Sequence, residues 1–380
     1  MAVFHGDWET ERLQVRARLE ELWGGVFVDR RPVGELWCCV TGMDLGPNRV
    51  PEKGWRAFQV MERWGGLDQT MWFRMTAVVP PEFAGRRVVA LLNPCAHTDI
   101  PGLPGHEESG EALAYVNGKP HQGIDRHHPF MVLAEKAQAG ARYEILLEAC
   151  PSTRFDATHV FAQADLAVMD TAVWDFYWDA RVCLDLLEEL PADGTVWKRM
   201  MRLLTETVHA VDLQRRGGPE FAASLAAARV RLQKGLKAFP AAPHAGRLTL
   251  IGHSHIDTAW LWPLRETRRK VGRTFSTVLR LMEQYPEYHF SASQPALYQF
   301  VKESFPELWR GIKRRVKEGR WELCGAPWVE QDSQMPCGEA LVRQFVYGNR
   351  FFEREFGKRT RIVWLPDAFG FPWSLPQILR

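Results

Sequence analysis

From residue 8 onward the apolar positions change period several times, and each change predicts a different kind of structure. Residues 8–23, WETERLQVRARLEELW, set Leu13, Val15, Leu19, Leu22 and Trp23 among charges at broadly helical spacing, which predicts an amphipathic surface helix packed on a later element. From about 33 to 170 the runs are short and β-rich: LWCCVT, WRAFQVM, TMWFRMTAVV, RRVVALL, ALAYVNGKP, RYEILLEA and FAQADLAVM. Gly, Pro and Asn/Asp clusters separate them, the pattern of an antiparallel sandwich, and Asn117-Gly118 predicts a two-residue hairpin turn. Between 170 and about 240 the period becomes helical, in WDFYWDARVCLDLLEEL, TVWKRMMRLLTETVHAVDL and PEFAASLAAARVRLQKGLKAF. His209 falls among apolar residues there and is expected in the core.

After Pro243 and Gly246, strand-like and helical stretches alternate. Residues 248–252, 288–293, 321–325 and 361–365 read as strands, and the run Leu248, Thr249, Leu250 and Ile251 reads as one buried on both faces. The first intervening helix places Val271, Phe275, Val278, Leu279 and Met282 on one face, and a later one, LVRQFVYGNRFFEREF, is approached through Pro336 and Gly338. Alternation of this kind implies a parallel sheet with right-handed crossovers. The expected fold class is multidomain: an N-terminal helix and lead-in (1–30), an antiparallel β-sandwich (31–170), a helical connector (171–245) and a β/α domain (246–380).

Composition narrows the function classes. In 380 residues, 46% hydrophobic and 25% charged content describes a soluble protein with a large core, and a net charge of +2 offers nothing to a polyanion. The densest basic cluster, Lys313-Arg314-Arg315 with Lys317, sits on a helical pattern as a solvated face, so no nucleic-acid partner is expected. No long uncharged apolar run and no secretory leader pattern occur, which excludes a membrane role and suggests the cytoplasm. Cys38, Cys39, Cys95, Cys150, Cys183, Cys324 and Cys337 include no C-x-x-C pair and suit reduced thiols. Sixteen tryptophans fit a large core, and also the stacking of flat rings on sugars.

Chemistry concentrates where the apolar run ends, in GHSHIDTAWLW. An extended backbone past Gly252 would turn His253, His255 and Asp257 to one side at the carboxyl end of a strand, where α/β sheets build their sites. Imidazole nitrogen with carboxylate oxygen is a half-site for zinc or a related ion. Locally, the competing reading has one histidine bonded to backbone and Asp257 capping the next helix. The second strand brings Gln294, the third Trp328, Glu330 and Asp332, and the fourth Asp367 and Phe369. In a parallel sheet these ends share a rim, so His255, Asp257, Asp332 and Asp367 can converge, which favours the metal reading. Asp367 alone would be a turn residue after Pro366. His121, His127 and His128 are expected as surface histidines rather than a metal patch.

In order and spacing, GHSHIDTAWLW, SASQPALY, WELCGAPWVEQD, GEALVRQ and WLPDAFGF resemble the motifs of family 38 glycoside hydrolases, the retaining α-mannosidases, and most closely the cytosolic, vacuolar and bacterial branch. The resemblance implies that 246–380 is the first half of a distorted β/α barrel holding zinc, or cobalt or manganese, through His255, Asp257 and Asp367. It also implies Asp367 as nucleophile, Trp260 and Phe369 as walls of the sugar subsite, and Glu330, Asp332 and His253 as pocket residues, with mannosides or oligosaccharides as substrates. In that family the general acid and a further histidine ligand follow the fourth strand at a distance that places them past Arg380. The expectation is therefore an N-terminal fragment, inactive alone, awaiting its C-terminal portion or a homo-oligomer partner to cover an apolar edge strand at 361–365. Two other classes compete: a metal-dependent carbohydrate deacetylase, which would need an Asp-Asp pair and a His-x-x-x-His helix that are not found, and a non-catalytic carbohydrate-binding module.

Overall fold

The computed structural model describes residues 8–42, 49–96, 98–99, 110–152, 154–192, 194–239 and 248–380. The expected break at Pro243 and Gly246 lies outside them. Helix α1 (Trp8–Trp23) leads into strands β1 (Phe27–Pro32), β2 (Leu36–Gly42), β3 (Arg56–Phe58), β4 (Arg63–Gly65), β5 (Gln69–Val78) and β6 (Val88–Asn93). There follow β7 (Thr98–Asp99), β8 (Glu111–Val116), β9 (Lys119–Ile124), β10 (Phe130–Ala134), β11 (Arg142–Cys150), β12 (Thr158–Val160) and β13 (Gln163–Met169). They build an antiparallel sandwich, with a six-stranded sheet β3-β2-β5-β11-β8-β9 against a four-stranded sheet β1-β13-β6-β10, and β4-β12-β7 alongside. Asn117 and Gly118 both take positive φ and close the β8–β9 hairpin, as the dipeptide predicts.

Both outer faces of the sandwich are covered, which is why its strands read as near-continuous apolar runs. Val89, Leu91, Val132, Ala167 and Met169 pack on α1 and on helices α2 (Thr171–Glu189), α3 (Thr195–His209) and α4 (Pro219–Lys237). On the other side Cys39, Trp72, Leu113 and Tyr115 share a core with the β/α unit. Of the face proposed for α1, Val15, Leu19 and Leu22 are buried whereas Leu13 and Trp23 are exposed. His209 is also exposed, at the last turn of α3; it falls off the face that buries Leu204, Thr207 and Val208, so it is not a core histidine.

The β/α unit holds a three-stranded parallel sheet of β14 (Gly252–His253), β15 (Phe290–Ala292) and β16 (Trp321–Leu323). Helices α5 (Leu264–Gln284), α6 (Pro295–Ser304), α7 (Pro306–Lys317) and α8 (Gly338–Phe356) surround it. Trp321 is its centre: its ring meets Phe275 and Phe290 edge-on at 5.0 and 4.9 Å, and its indole N–H donates to Tyr298 Oη at 2.9 Å. Large buried aromatics with their polar tips satisfied make a rigid floor beneath the strand ends. Gly252 leaves room for the Tyr288 ring, since a Cβ there would lie 2.4 Å from Tyr288 Oη and force that side chain to shift.

Two strand expectations are corrected. Residues 248–251 form no strand; Leu248 and Leu250 are 81% and 83% exposed. β14 pairs over two residues with β15 alone, so among the described residues no strand flanks its other side and the apolar run before it lies exposed. Residues 361–365 likewise carry no ladder. They are held by a side chain instead, Trp364 Nε1 donating to His253 Nε2 at 3.0 Å, and Ile362 is left exposed.

Candidate active site

The carboxyl ends of β14, β15 and β16 and the loop around Asp367 meet at His255. Its Nε2 lies 3.2 Å from Asp257 Oδ1 and 3.4 Å from Asp367 Oδ2. Among the described residues, these three side chains place ligand atoms within 4.8 Å of one another. On the other side of the ring, Nδ1 pairs with Glu330 Oε2, and Ser293 Oγ donates to Glu330 Oε1. Glu330 is buried, its side chain 5% exposed, while those of His255 and Asp257 are just over one quarter exposed and that of Asp367 nearly half. Burial works against a charged His255, but the carboxylates of Glu330 and Asp257 outweigh it and hold the imidazole above its usual value.

This arrangement fits a divalent cation. A buried carboxylate on Nδ1 fixes the tautomer that turns the Nε2 lone pair outward, the carboxylate–histidine support found behind metal ligands. Two carboxylate oxygens facing that lone pair complete an N,O,O donor set suited to zinc, cobalt or manganese. The reading of Asp257 as a simple helix cap fails on geometry, since α5 starts seven residues later and its N-cap is Pro263.

The remaining expected residues divide. Glu330 is central but faces inward, both oxygens engaged. Asp332 does not join the cluster: it is exposed, and its Oδ1 accepts from the amides of Gln334 and Met335 at 2.7 and 3.0 Å, a turn cap. His253 is tied up at both nitrogens, Nδ1 with Ser291 O at 2.9 Å and Nε2 with the Trp364 indole; neither is open to a ligand. Trp260 and Phe369 are 66% and 90% exposed on the rim. Trp260 meets Trp262 edge-on at 5.7 Å, and Gln334 Nε2 donates to the Phe369 carbonyl at 3.4 Å. His121 is half-buried on Val132 O at 3.0 Å; His128 pairs with Asp125, and Arg126 Nε donates to His127 Nε2.

The sequence places Gln294 at the end of the second strand and marks no role for it. Its amide joins three pieces of the site: Oε1 accepts from Thr258 Oγ1 at 3.0 Å and Glu330 N at 3.1 Å, and Nε2 donates to Ile256 O at 2.8 Å. Ser293 was missed, and so was Thr267, whose Oγ1 donates to Asp257 O at 2.9 Å. The signal for Ser293 and Gln294 is their place just past β15, the position that yields site residues in its neighbours.

Residues 245–380 match the glycosyl hydrolases family 38 N-terminal domain, and residues 40–169 match the alpha-mannosidase jelly roll domain. The chain is 32% identical to human alpha-mannosidase 2C1 over 378 residues, covering 94% of this chain and 34% of that one. It is 28% identical to alpha-mannosidase G of Dictyostelium discoideum over 341 residues, 85% of this chain and 29% of that one. The alpha-mannosidase of Saccharomyces cerevisiae is 44% identical over 131 residues, 34% of this chain and 12% of that one. The chain thus spans about a third of the length of the first two relatives. It resembles glycosyl hydrolase family 38 in two successive segments, an alpha-mannosidase jelly roll domain at 40–169 and the family's N-terminal domain at 245–380.

Proposed function

We propose that this chain supplies the nucleophile and the metal ligands of a retaining α-mannosidase, its parallel sheet being the start of a distorted β/α barrel. The observation that carries the reading is the meeting of His255 Nε2, Asp257 and Asp367 in front of the buried Glu330. Zinc suits these donors, with cobalt and manganese accepted by the same set. When bound, such an ion keeps Asp367 ionised and holds sugar hydroxyls. Asp367, the most exposed of the three, would attack the anomeric carbon of a mannoside as the glycosidic C–O bond breaks, the aglycone leaving on its protonated oxygen and the glycosyl group staying on Asp367 as an ester. Trp260 and Phe369 offer exposed rings to the apolar face of the sugar, while Glu330 and His253 act one layer behind as positioning groups. The relatives named above, all α-mannosidases, support mannosides as the substrate class, and the seven free cysteines, six of them buried, suit a reducing, cytoplasmic setting.

Retention also needs a second carboxyl group about 5–5.5 Å from the nucleophile, to protonate the leaving oxygen and then activate water. Glu330 is committed to His255 and Ser293, and Asp332 to its turn, so neither serves and the isolated chain turns nothing over. Metal content and hydrolysis of an aryl α-mannoside test both halves of the proposal. One bound ion per chain, lost in Asp257→Ala, with no hydrolysis by either protein, is expected. A wild-type chain that holds no zinc would sink the site, and metal-dependent hydrolysis by the chain alone would sink the assignment of the acid elsewhere.

A further inference from the structure

The sandwich reaches the site through a line of contacts. Glu111, at the start of β8, accepts from Lys270 Nζ at 3.0 and 2.9 Å and from Arg273 Nη2 at 2.7 Å. Lys270 Nζ sits 4.6 Å from the ring centroid of Trp262. The indole N–H of Trp262 donates to Thr267 Oγ1 at 3.0 Å, and that hydroxyl donates to Asp257 O at 2.9 Å. Thr267 is fully buried, and Trp260 leans edge-on against Trp262 at 5.7 Å. Each link is directional: a salt bridge, a cation over a ring face, then two hydrogen bonds in series ending on the main chain of a ligand residue.

We propose that Glu111 of the sandwich is a positioning residue for the candidate metal site, acting by holding Lys270 against the face of Trp262. This rests on the metal reading given above. The contact is not needed to dock the two units. Arg269 and Glu148, both almost fully buried, are paired at 3.0 Å, and Gly123 N donates to Thr277 Oγ1 at 2.9 Å; these already fasten α5 to the sandwich. What the Glu111–Lys270 pair adds is direction. The Lys270 side chain is 22% exposed, and without its carboxylate the ammonium would turn to water, leaving the Trp262 ring held by its bond to Thr267 alone and less firmly oriented beside Trp260. The sandwich would then be part of the site's architecture.

The test uses the full chain labelled with 5-fluorotryptophan, the Trp262 resonance being assigned through Trp262→Phe, together with cobalt affinity by competition with a chromophoric chelator. Glu111→Gln and Lys270→Met should shift the Trp262 resonance in the same direction. Both should weaken cobalt binding about threefold to tenfold, below the ~10–100-fold that follows loss of a group bonded directly to a metal ligand. Lys270→Arg should preserve both readouts, because a guanidinium can pair with Glu111 and stack on the indole. Lys270→Met keeps the Glu111–Arg273 pair and so decides the matter even if Glu111→Gln does not fold. An unmoved Trp262 resonance in folded Lys270→Met would overturn the proposal. A wild-type chain that binds no cobalt would refute the metal reading, and the resonance, which needs no metal, would still judge this one.

Discussion

Replacing Gln294 tests whether one buried amide holds the strand ends together. The residue is 1% exposed and adopts φ +60°, the left-handed region that costs a residue with a Cβ about 1–2 kcal/mol. Gln294→Ala removes three hydrogen bonds and leaves Glu330 N–H and Ile256 C=O without their side-chain partner. Buried backbone groups stripped of a partner cost about 1–3 kcal/mol each, so for the two of them a loss of about 2–6 kcal/mol is expected. Gln294→Gly loses the same bonds but relieves the backbone, and should be more stable than the alanine variant by about 1 kcal/mol, the reverse of their order in a helix. Urea unfolding followed by tryptophan fluorescence and circular dichroism reads both differences. An alanine variant within about 0.5 kcal/mol of wild type, or one more stable than the glycine variant, would refute the reasoning.

Glu330→Gln withdraws the carboxylate behind His255 and should weaken zinc binding about 10–100-fold by chelator competition; unchanged affinity would remove Glu330 from the site. Arg269→Met strips Glu148 of its buried cation and should cost about 3–5 kcal/mol in urea, most of it recovered when Glu148→Leu is added; a double variant no better than the single one would contradict this. His121 is held down at about 4, by burial first and by Arg280 beside it, against the bond to Val132 O that favours the charged form. The unfolded imidazole takes up its proton near 6.5, so as pH falls from about 6.5 to about 4 the unfolded chain binds a proton that the fold refuses. Stability should decline by about 3 kcal/mol in total over that window. His121→Gln should flatten this part of the pH dependence, measured as urea midpoints at neutral and acidic pH.

Local pattern carried most of the elements. The turn at Asn117-Gly118 needs only the conformational tolerance of those two residues, and α5 and α8 need only their apolar stripe, so both were legible without a partner in view. His255 and Asp257 were legible for a similar reason, since in a parallel sheet the topology gathers strand ends on one rim; Asp367 joins them from a segment that carries no ladder, which that rule does not explain. Asp332 shows where that reasoning stops, because lying on the rim does not decide whether a carboxylate faces the cluster or caps its own turn.

What the sequence by itself determined was the order of structural types, the turn chemistry and the set of side chains available to a site. Only the tertiary structure decided which of them meet. Leu248 and Leu250 have the character of a buried strand, yet burial is a property of the neighbour, and no strand flanks them among the described residues. Glu111 and Glu148 lie more than a hundred positions from Lys270, Arg273 and Arg269, and in one dimension such charges read only as solvated faces. Ion pairing depends on distance in space, and the fold alone brings those charges from the sandwich to the helix that supports the candidate site.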